Sequence, residues 1–186
     1  MAVDFCSPEV QEGSMKNIFA VILLFATSAL AQDKEGPVAP ACASRSASFD
    51  VKLDDSQHAL LPPEPGKARV YFIQDLDFAR CLGDCLTTRV GMDGTWIGAN
   101  RQSSYFSASV EPGEHHLCVS PQSHFAWTTR YVALAHFTAE AGKVYYYRTR
   151  ILEDRERRSL DFVPVDSDEA EYLIASYPMS VSHPKP

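Results

Sequence analysis

Several familiar kinds of machinery are missing from this chain. It has no Gly-x-Ser-x-Gly elbow, no His-Glu-x-x-His pair and no phosphate-cradling glycine loop, so serine hydrolase, zinc peptidase and P-loop chemistry have no local signature to stand on. It also lacks a basic excess. The formal net charge is -7, and the one dense charge run, Glu153-Asp154-Arg155-Glu156-Arg157-Arg158, mixes both signs and reads as a solvated loop. Nucleic-acid binding depends on clustered Lys and Arg that neutralise phosphates, so no nucleic-acid partner is expected. Helical periodicity is scarce, which argues against parallel β-α-β units. Long apolar runs are absent too. The best one, residues 18 to 31, is interrupted by Thr27 and Ser28 and falls short of the roughly 20 residues that a permanent membrane helix needs.

What that run does fit is a secretory signal peptide. Met15-Lys16-Asn17 supplies a short basic start, the apolar stretch follows, and Ala29-Leu30-Ala31 matches an A-x-A exit. Polar residues begin at once with Gln32-Asp33-Lys34-Glu35, so cleavage is expected between Ala31 and Gln32. Residues 1 to 14 carry Asp4, Glu9 and Glu12 but no Lys or Arg, the wrong sign for an export leader, and Met15 is the expected start. Removing residues 1 to 31 removes three acids and one base, which leaves a net charge of -5. The remainder suffices for one domain with its own core.

Cysteine is sparse. Cys6 lies in the discarded segment, and Cys42, Cys81, Cys85 and Cys118 remain. An even count in an oxidising compartment favours disulfides, and four cysteines allow three pairings. Cys118 is expected to be oxidised, with Cys81 or Cys85 as partner, because that would tie the segment around them to the strand after Pro112-Gly113. Cys42 raises the alternative of a lipid anchor. Gln32 to Pro40 separate it from the apolar run, however, so a soluble periplasmic or secreted product is favoured, with membrane contact only through the cleaved signal.

Residues 32 to 65 are rich in Ala, Ser, Asp and Pro and read as a flexible linker, although Phe49-Asp50-Val51-Lys52-Leu53 alternates as a short edge strand would. The domain is expected over residues 66 to 178, with 179 to 186 as a tail. Strands are expected over residues 68 to 74, 87 to 92, 95 to 99, 105 to 110, 114 to 120, 130 to 138, 143 to 151 and 160 to 165. Asp93-Gly94 suits a two-residue hairpin turn with positive φ. Pro112-Gly113 suggests a second hairpin, and Glu140-Ala141-Gly142 separates the next two strands. One helix follows, with Asp166 as its cap, Glu169 completing a capping box, Leu173 and Tyr177 on its apolar face and Pro178 as its stop. The fold class is therefore mostly β: a single antiparallel sandwich or partly open barrel with one C-terminal helix.

Taken in order, these pieces resemble a bacterial family catalogued as domain of unknown function 2846. The resemblance runs from Gly66-Lys67-Ala68-Arg69-Val70-Tyr71-Phe72, through Asp93-Gly94-Thr95-Trp96-Ile97-Gly98, Tyr105-Phe106 and Val110-Glu111-Pro112-Gly113-Glu114-His115, to Ala139-Glu140-Ala141-Gly142-Lys143-Val144-Tyr145-Tyr146. It extends to about Ser176. The middle stretch is also similar to PEGA-type surface β repeats, which are usually non-catalytic. The chain departs from the family in the insert Cys81-Leu82-Gly83-Asp84-Cys85 and in having Gln74 where an Arg follows the first strand. The resemblance implies architecture and no activity.

Three residue sets remain as candidate chemistry. Cys81-x-x-x-Cys85 is wider than a redox C-x-x-C turn, and Asp84 beside Cys85 works against a thiolate. His116 and Cys118, two apart on a strand, share a face, and with Cys81 and Cys85 they make the residue types of a Cys₃His zinc site, at a spacing that matches no finger or ribbon. Asp75 and Asp77 form a carboxylate pair suited to acid-base work or to a solvated strand end. Tyr71, Phe72, Trp96, Tyr105, Phe106, Trp127 and Tyr131 make the domain aromatic-rich, and core packing is the expected fate of most rings; Tyr145 and Tyr147, which share a face opposite Tyr146, are the candidates for exposed binding rings. His115 is assigned to the turn it follows. The expectation is a non-enzymatic exported β domain without cofactor that binds an envelope protein or a glycan. The alternative is a small periplasmic enzyme or metal/thiol protein built on Cys81, Cys85, His116 and Cys118.

Overall fold

The computed structural model describes residues 41–44, 46–56, 58, 60–76, 86–122, 132–154 and 157–186. The elements among them are β1 (Phe49–Asp54), β2 (Ala68–Gln74), β3 (Thr87–Met92), β4 (Thr95–Arg101), β5 (Ser104–Val110), β6 (Gly113–Pro121), β7 (Ala133–Ala139), β8 (Val144–Asp154), β9 (Arg157–Pro164), α1 (Ser167–Ser176) and β10 (Met179–Pro184). The signal segment with Ala31 and Gln32, and also Asp77, Cys81, Cys85, Trp127 and Tyr131, lies outside the described residues.

A strand that is apolar on both faces needs cover on both sides, and β2 is such a strand. Val70 and Phe72 project to one face and Tyr71 and Ile73 to the other, and none is more than 1% exposed. β2 sits inside a six-stranded sheet of order β1-β10-β5-β2-β8-β9, which faces a four-stranded sheet of order β4-β3-β6-β7. Between the sheets lie Val70, Phe72, Phe106, Tyr147 and Phe162 from the larger one and Val90, Leu117, Val119 and Phe137 from the smaller. Burying side chains of this size contributes roughly 1.5 to 3 kcal/mol each. On its other face the six-stranded sheet receives α1, with Ala170, Leu173 and Ile174 packed on Tyr71, Ile73 and Tyr105. Neither sheet closes into a barrel.

Asp166 caps α1 by accepting the Glu169 amide at 2.9 Å. The return half of the expected capping box is replaced, because the Glu169 carboxylate pairs with Arg148 on β8 instead. The cap thereby also anchors the helix to the sheet beneath it.

Four expectations about organisation need correction. Residues 32 to 65 are not wholly a flexible linker and residues 179 to 186 are not a free tail: β1 pairs antiparallel with β10, from Phe49 opposite Pro184 to Asp54 opposite Met179. These two short strands extend the larger sheet, so the folded unit is wider than residues 66 to 178. Pro112-Gly113 does not turn a hairpin; it carries the chain from β5 in one sheet to β6 in the other. Both sheets are antiparallel-rich as expected, and within the larger one β2 runs parallel to β8, from Arg69 opposite Val144 to Gln74 opposite Thr149, and β10 parallel to β5. Finally, part of the charge run belongs to strands, since β8 ends at Asp154 and β9 begins at Arg157, with Glu153 opposite Arg158 and Asp154 opposite Arg157.

Candidate functional site

The β3–β4 turn has the geometry its sequence requires. Asp93 and Gly94 have φ of 51° and 80°, the positive values of a type I′ hairpin. The Asp93 carboxylate then reaches β6: Oδ1 accepts the His116 amide at 2.8 Å, and Oδ2 lies 2.6 Å from His115 Nδ1. His115 Nε2 is 2.8 Å from the Glu111 carbonyl oxygen, and its ring packs on Phe137 with centroids 5.6 Å apart. Partial burial works against charge on the His115 ring, yet its bonds to Asp93 and Glu111 outweigh this and raise its pKa above the usual imidazole range. Burial likewise opposes the Asp93 carboxylate, but the His116 amide and the His115 ring hold its pKa below the usual range. With both ring nitrogens engaged, His115 is not placed to shuttle a proton.

A second assembly lies on the outer face of the four-stranded sheet. Cys118, fully buried, is bonded to Cys42 across 76 residues, with Cα atoms 5.3 Å apart. Ala41, Cys42, Cys118 and Trp96 pack together there. Gly91 makes the approach possible, since a Cβ on it would stand 2.9 Å from the Ala41 carbonyl oxygen and 3.1 Å from the Trp96 ring. Arg89 stacks its guanidinium 4.6 Å from the Trp96 ring centroid and donates to the Ala47 and Pro121 carbonyls and the Ser120 hydroxyl. Trp96 Nε1 donates to the Ser44 carbonyl at 2.8 Å, and the Gln122 amide bonds both backbone groups of Phe49 at 2.7 Å. The segment from Ala41 to Phe49 is thus strapped across the sheet by the disulfide and by hydrogen bonds.

A third assembly is a buried polar band at the end of the core. Gln74 donates to the Leu86 and Gln102 carbonyls at 2.8 Å and accepts from Thr88, Asn100 donates to the Phe72 carbonyl at 3.0 Å, and Ser104 and Ser180 share a bond of 2.7 Å. These bonds satisfy the carbonyls of Leu86 just before β3, Gln102 just after β4 and Phe72 within β2, and buried polar groups without partners would be costly. Gln74, noted in the sequence as a departure from the family pattern, is a bracing residue here.

The expected sites rearrange accordingly. The Cys118 partner is Cys42, not Cys81 or Cys85, because the N-terminal segment lies over β6. Its sulfur is therefore committed, and the Cys₃His set loses a thiolate donor; Cys81 and Cys85 themselves lie outside the described residues. Among the described residues, no three His, Cys, Asp or Glu side chains group closely enough to hold a metal ion. His116 is exposed, 4.0 Å from Glu114. Tyr145 and Tyr147 are not exposed binding rings. They face the core between the sheets, where Tyr147 is 4% exposed and Phe137 packs against both, and the Tyr145 hydroxyl is bound by the Thr138 carbonyl and the Glu140 amide. At these positions β8 lies between β2 and β9 with the smaller sheet over it, so the two rings meet core and not solvent. Asp75, expected beside Asp77, accepts the Tyr177 hydroxyl at 2.7 Å. The link between Asp93 and His115 escaped the sequence reading because 22 residues separate them and nothing local joins one turn to the other.

No curated protein and no solved structure matches the chain. The matching family model spans residues 64–160, which takes in β2 through β8 and the start of β9 and leaves Cys42, β1, α1 and β10 outside. That span exceeds half of the 186 residues, and the chain belongs to the family described as protein of unknown function, DUF2846.

Proposed function

We propose that this protein is an exported, non-enzymatic β-sandwich that binds another protein of the cell envelope or its surroundings. The observation that carries this reading is the buried disulfide between Cys42 and Cys118. Structural disulfides persist in oxidising compartments and are rare in the reducing cytosol, which accords with the signal-like segment ahead of Gln32. The same bond speaks against a lipid anchor at Cys42, since a thioether would need the sulfur that Cys118 holds.

Of the two partner classes, protein has more support than glycan. Tyr145 and Tyr147, which would have stacked on a sugar, are spent on the core. The outermost strand β7 offers a different surface. It carries no Lys, Arg, Asp, Glu or Pro, and Leu134 on it is 56% exposed. The other outer strands are guarded: β1 holds Asp50, Lys52 and Asp54, β9 holds Asp161 and ends at Pro164, and β4 ends at Arg101 and packs against β1 and β10. Charges and prolines deter strand addition, so β7 is the edge best suited to a partner's extended segment. The resemblance of the Asp93 to His115 stretch to usually non-catalytic β repeats points the same way.

Two measurements test the reading. Protein isolated from the envelope or medium should begin at Gln32 and yield a Cys42–Cys118 peptide under non-reducing digestion; an intact Met15 terminus or a lipid-modified Cys42 sinks the export assignment. A photo-crosslinker at Leu134 should capture a protein in living cells, with capture abolished by proline at His136. Capture that is indifferent to that proline, or none at all, removes β7 as the binding edge.

A further inference from the structure

We infer that His115 is a charged clasp whose imidazolium holds the β3–β4 turn and the β5–β6 turn together, and that the clasp is complete under mildly acidic conditions and loosens on the alkaline side. The geometry leaves little choice of protonation. Nδ1 faces the Asp93 carboxylate at 2.6 Å and Nε2 faces the Glu111 carbonyl at 2.8 Å. Both partners are acceptors with no proton to give, whereas a neutral imidazole has a single N–H. Both bonds therefore exist together only when both ring nitrogens carry protons. The Asp93 carboxylate is held in place independently, because its other oxygen accepts the His116 amide at 2.8 Å and its backbone N–H donates to the His116 carbonyl at 3.0 Å.

The surroundings favour the charged ring. Asp93 approaches from the β3–β4 turn. Glu111 stands in the β5–β6 turn with its carboxylate held 3.1 Å from Lys67. Glu114 and His116 flank His115 on β6, and His136 on β7 stands beside His116 with ring centroids 6.5 Å apart. From β8 comes the hydroxyl of Tyr145, already bound to the Thr138 carbonyl. Asp93 is the one carboxylate of this set that bonds the ring, and the His115 side chain is only 14% exposed, so water competes weakly for it.

The direction of the pH response follows from linkage. His115 titrates higher in the folded protein than its ordinary 6.5, so its contribution is full below 6.5 and is lost as pH rises through the folded value. Asp93 titrates below its ordinary 3.8, so its contribution is present above 3.8 and is lost as pH falls through the folded value. The clasp is complete between those two limits and loosens on the alkaline side, where one of the His115 bonds must break.

Nitrogen-15 NMR of the full chain tests this directly. At pH 6 both ring nitrogens of His115 should show protonated shifts, with a titration midpoint above 6.5. Asp93→Asn keeps an acceptor for the His116 amide and removes the charge, so the midpoint should fall. Hydrogen exchange of the His116 amide, corrected for its intrinsic rate, should quicken above the midpoint in the wild type and lose that dependence in His115→Gln. A single neutral tautomer at pH 6, or a midpoint unmoved by Asp93→Asn, would overturn the inference.

Discussion

Cys42 and Cys118 join the segment that follows the signal-like region to β6 of the four-stranded sheet, their Cα atoms 5.3 Å apart at a sequence separation of 76. Everything between them is enclosed in one covalent loop that contains β1 through most of β6.

Opening that loop should be costly. A crosslink of this span restrains the unfolded chain, and its loss is expected to destabilise the protein by roughly 2 to 4 kcal/mol. Urea unfolding of Cys42→Ser with Cys118→Ser, compared with the oxidised parent, measures it. Equal midpoints would mean that the hydrogen bonds from Arg89, Trp96 and Gln122 hold the segment unaided.

Gly94→Val should destabilise the fold by about 1 to 2 kcal/mol, because a β-branched residue is strained at positive φ. The observed φ of 80° is what makes the substitution expensive. A denaturant midpoint within error of the parent would contradict the type I′ turn.

The aromatic residues separate by burial. Tyr147→Ala empties a site in the core between the sheets and is expected to cost about 3 to 5 kcal/mol, as large aromatic truncations do. Tyr172, 71% exposed on α1, should tolerate the same change within about 0.5 kcal/mol. Thermal melts of the two variants suffice, and a reversed ranking would mean that β8 has been assigned the wrong face.

Alkaline stability should depend on Tyr177. Burial, and then the hydrogen bond to Asp75 and the negative charge there, push its phenol up to about 12. The folded state therefore holds the neutral phenol while the unfolded chain ionises near 10, so stability is intact below pH 10 and declines as pH rises through about 12. Tyr177→Phe should flatten the fall in urea midpoint between pH 10 and 12. An unchanged slope would show that other tyrosines dominate there.

Much of this molecule was legible along the chain, because the relevant physics is local. The Asp93-Gly94 turn, the Asp166 cap and the strands between residues 68 and 165 each rest on neighbours within a few residues. Alternation along Tyr145-Tyr146-Tyr147 placed its rings on opposite faces without saying what covers either face. In the structure one face meets Phe137 and the other meets the cluster beneath α1, so the rings that were candidates for binding are core.

The amino-acid sequence by itself determined a β-rich domain, its Asp93-Gly94 turn, its helix and its family. Tertiary structure alone decided that β1 and β10 pair, that Pro112-Gly113 crosses between sheets, that Cys118 meets Cys42 and that Asp93 meets His115. A strand's period of two records that it has two faces, but hydrogen bonds to a neighbour can be offered to any strand of suitable length. Which strand accepts them is settled when the apolar faces of the whole chain are buried together, and only then do residues far apart in sequence come within bonding distance.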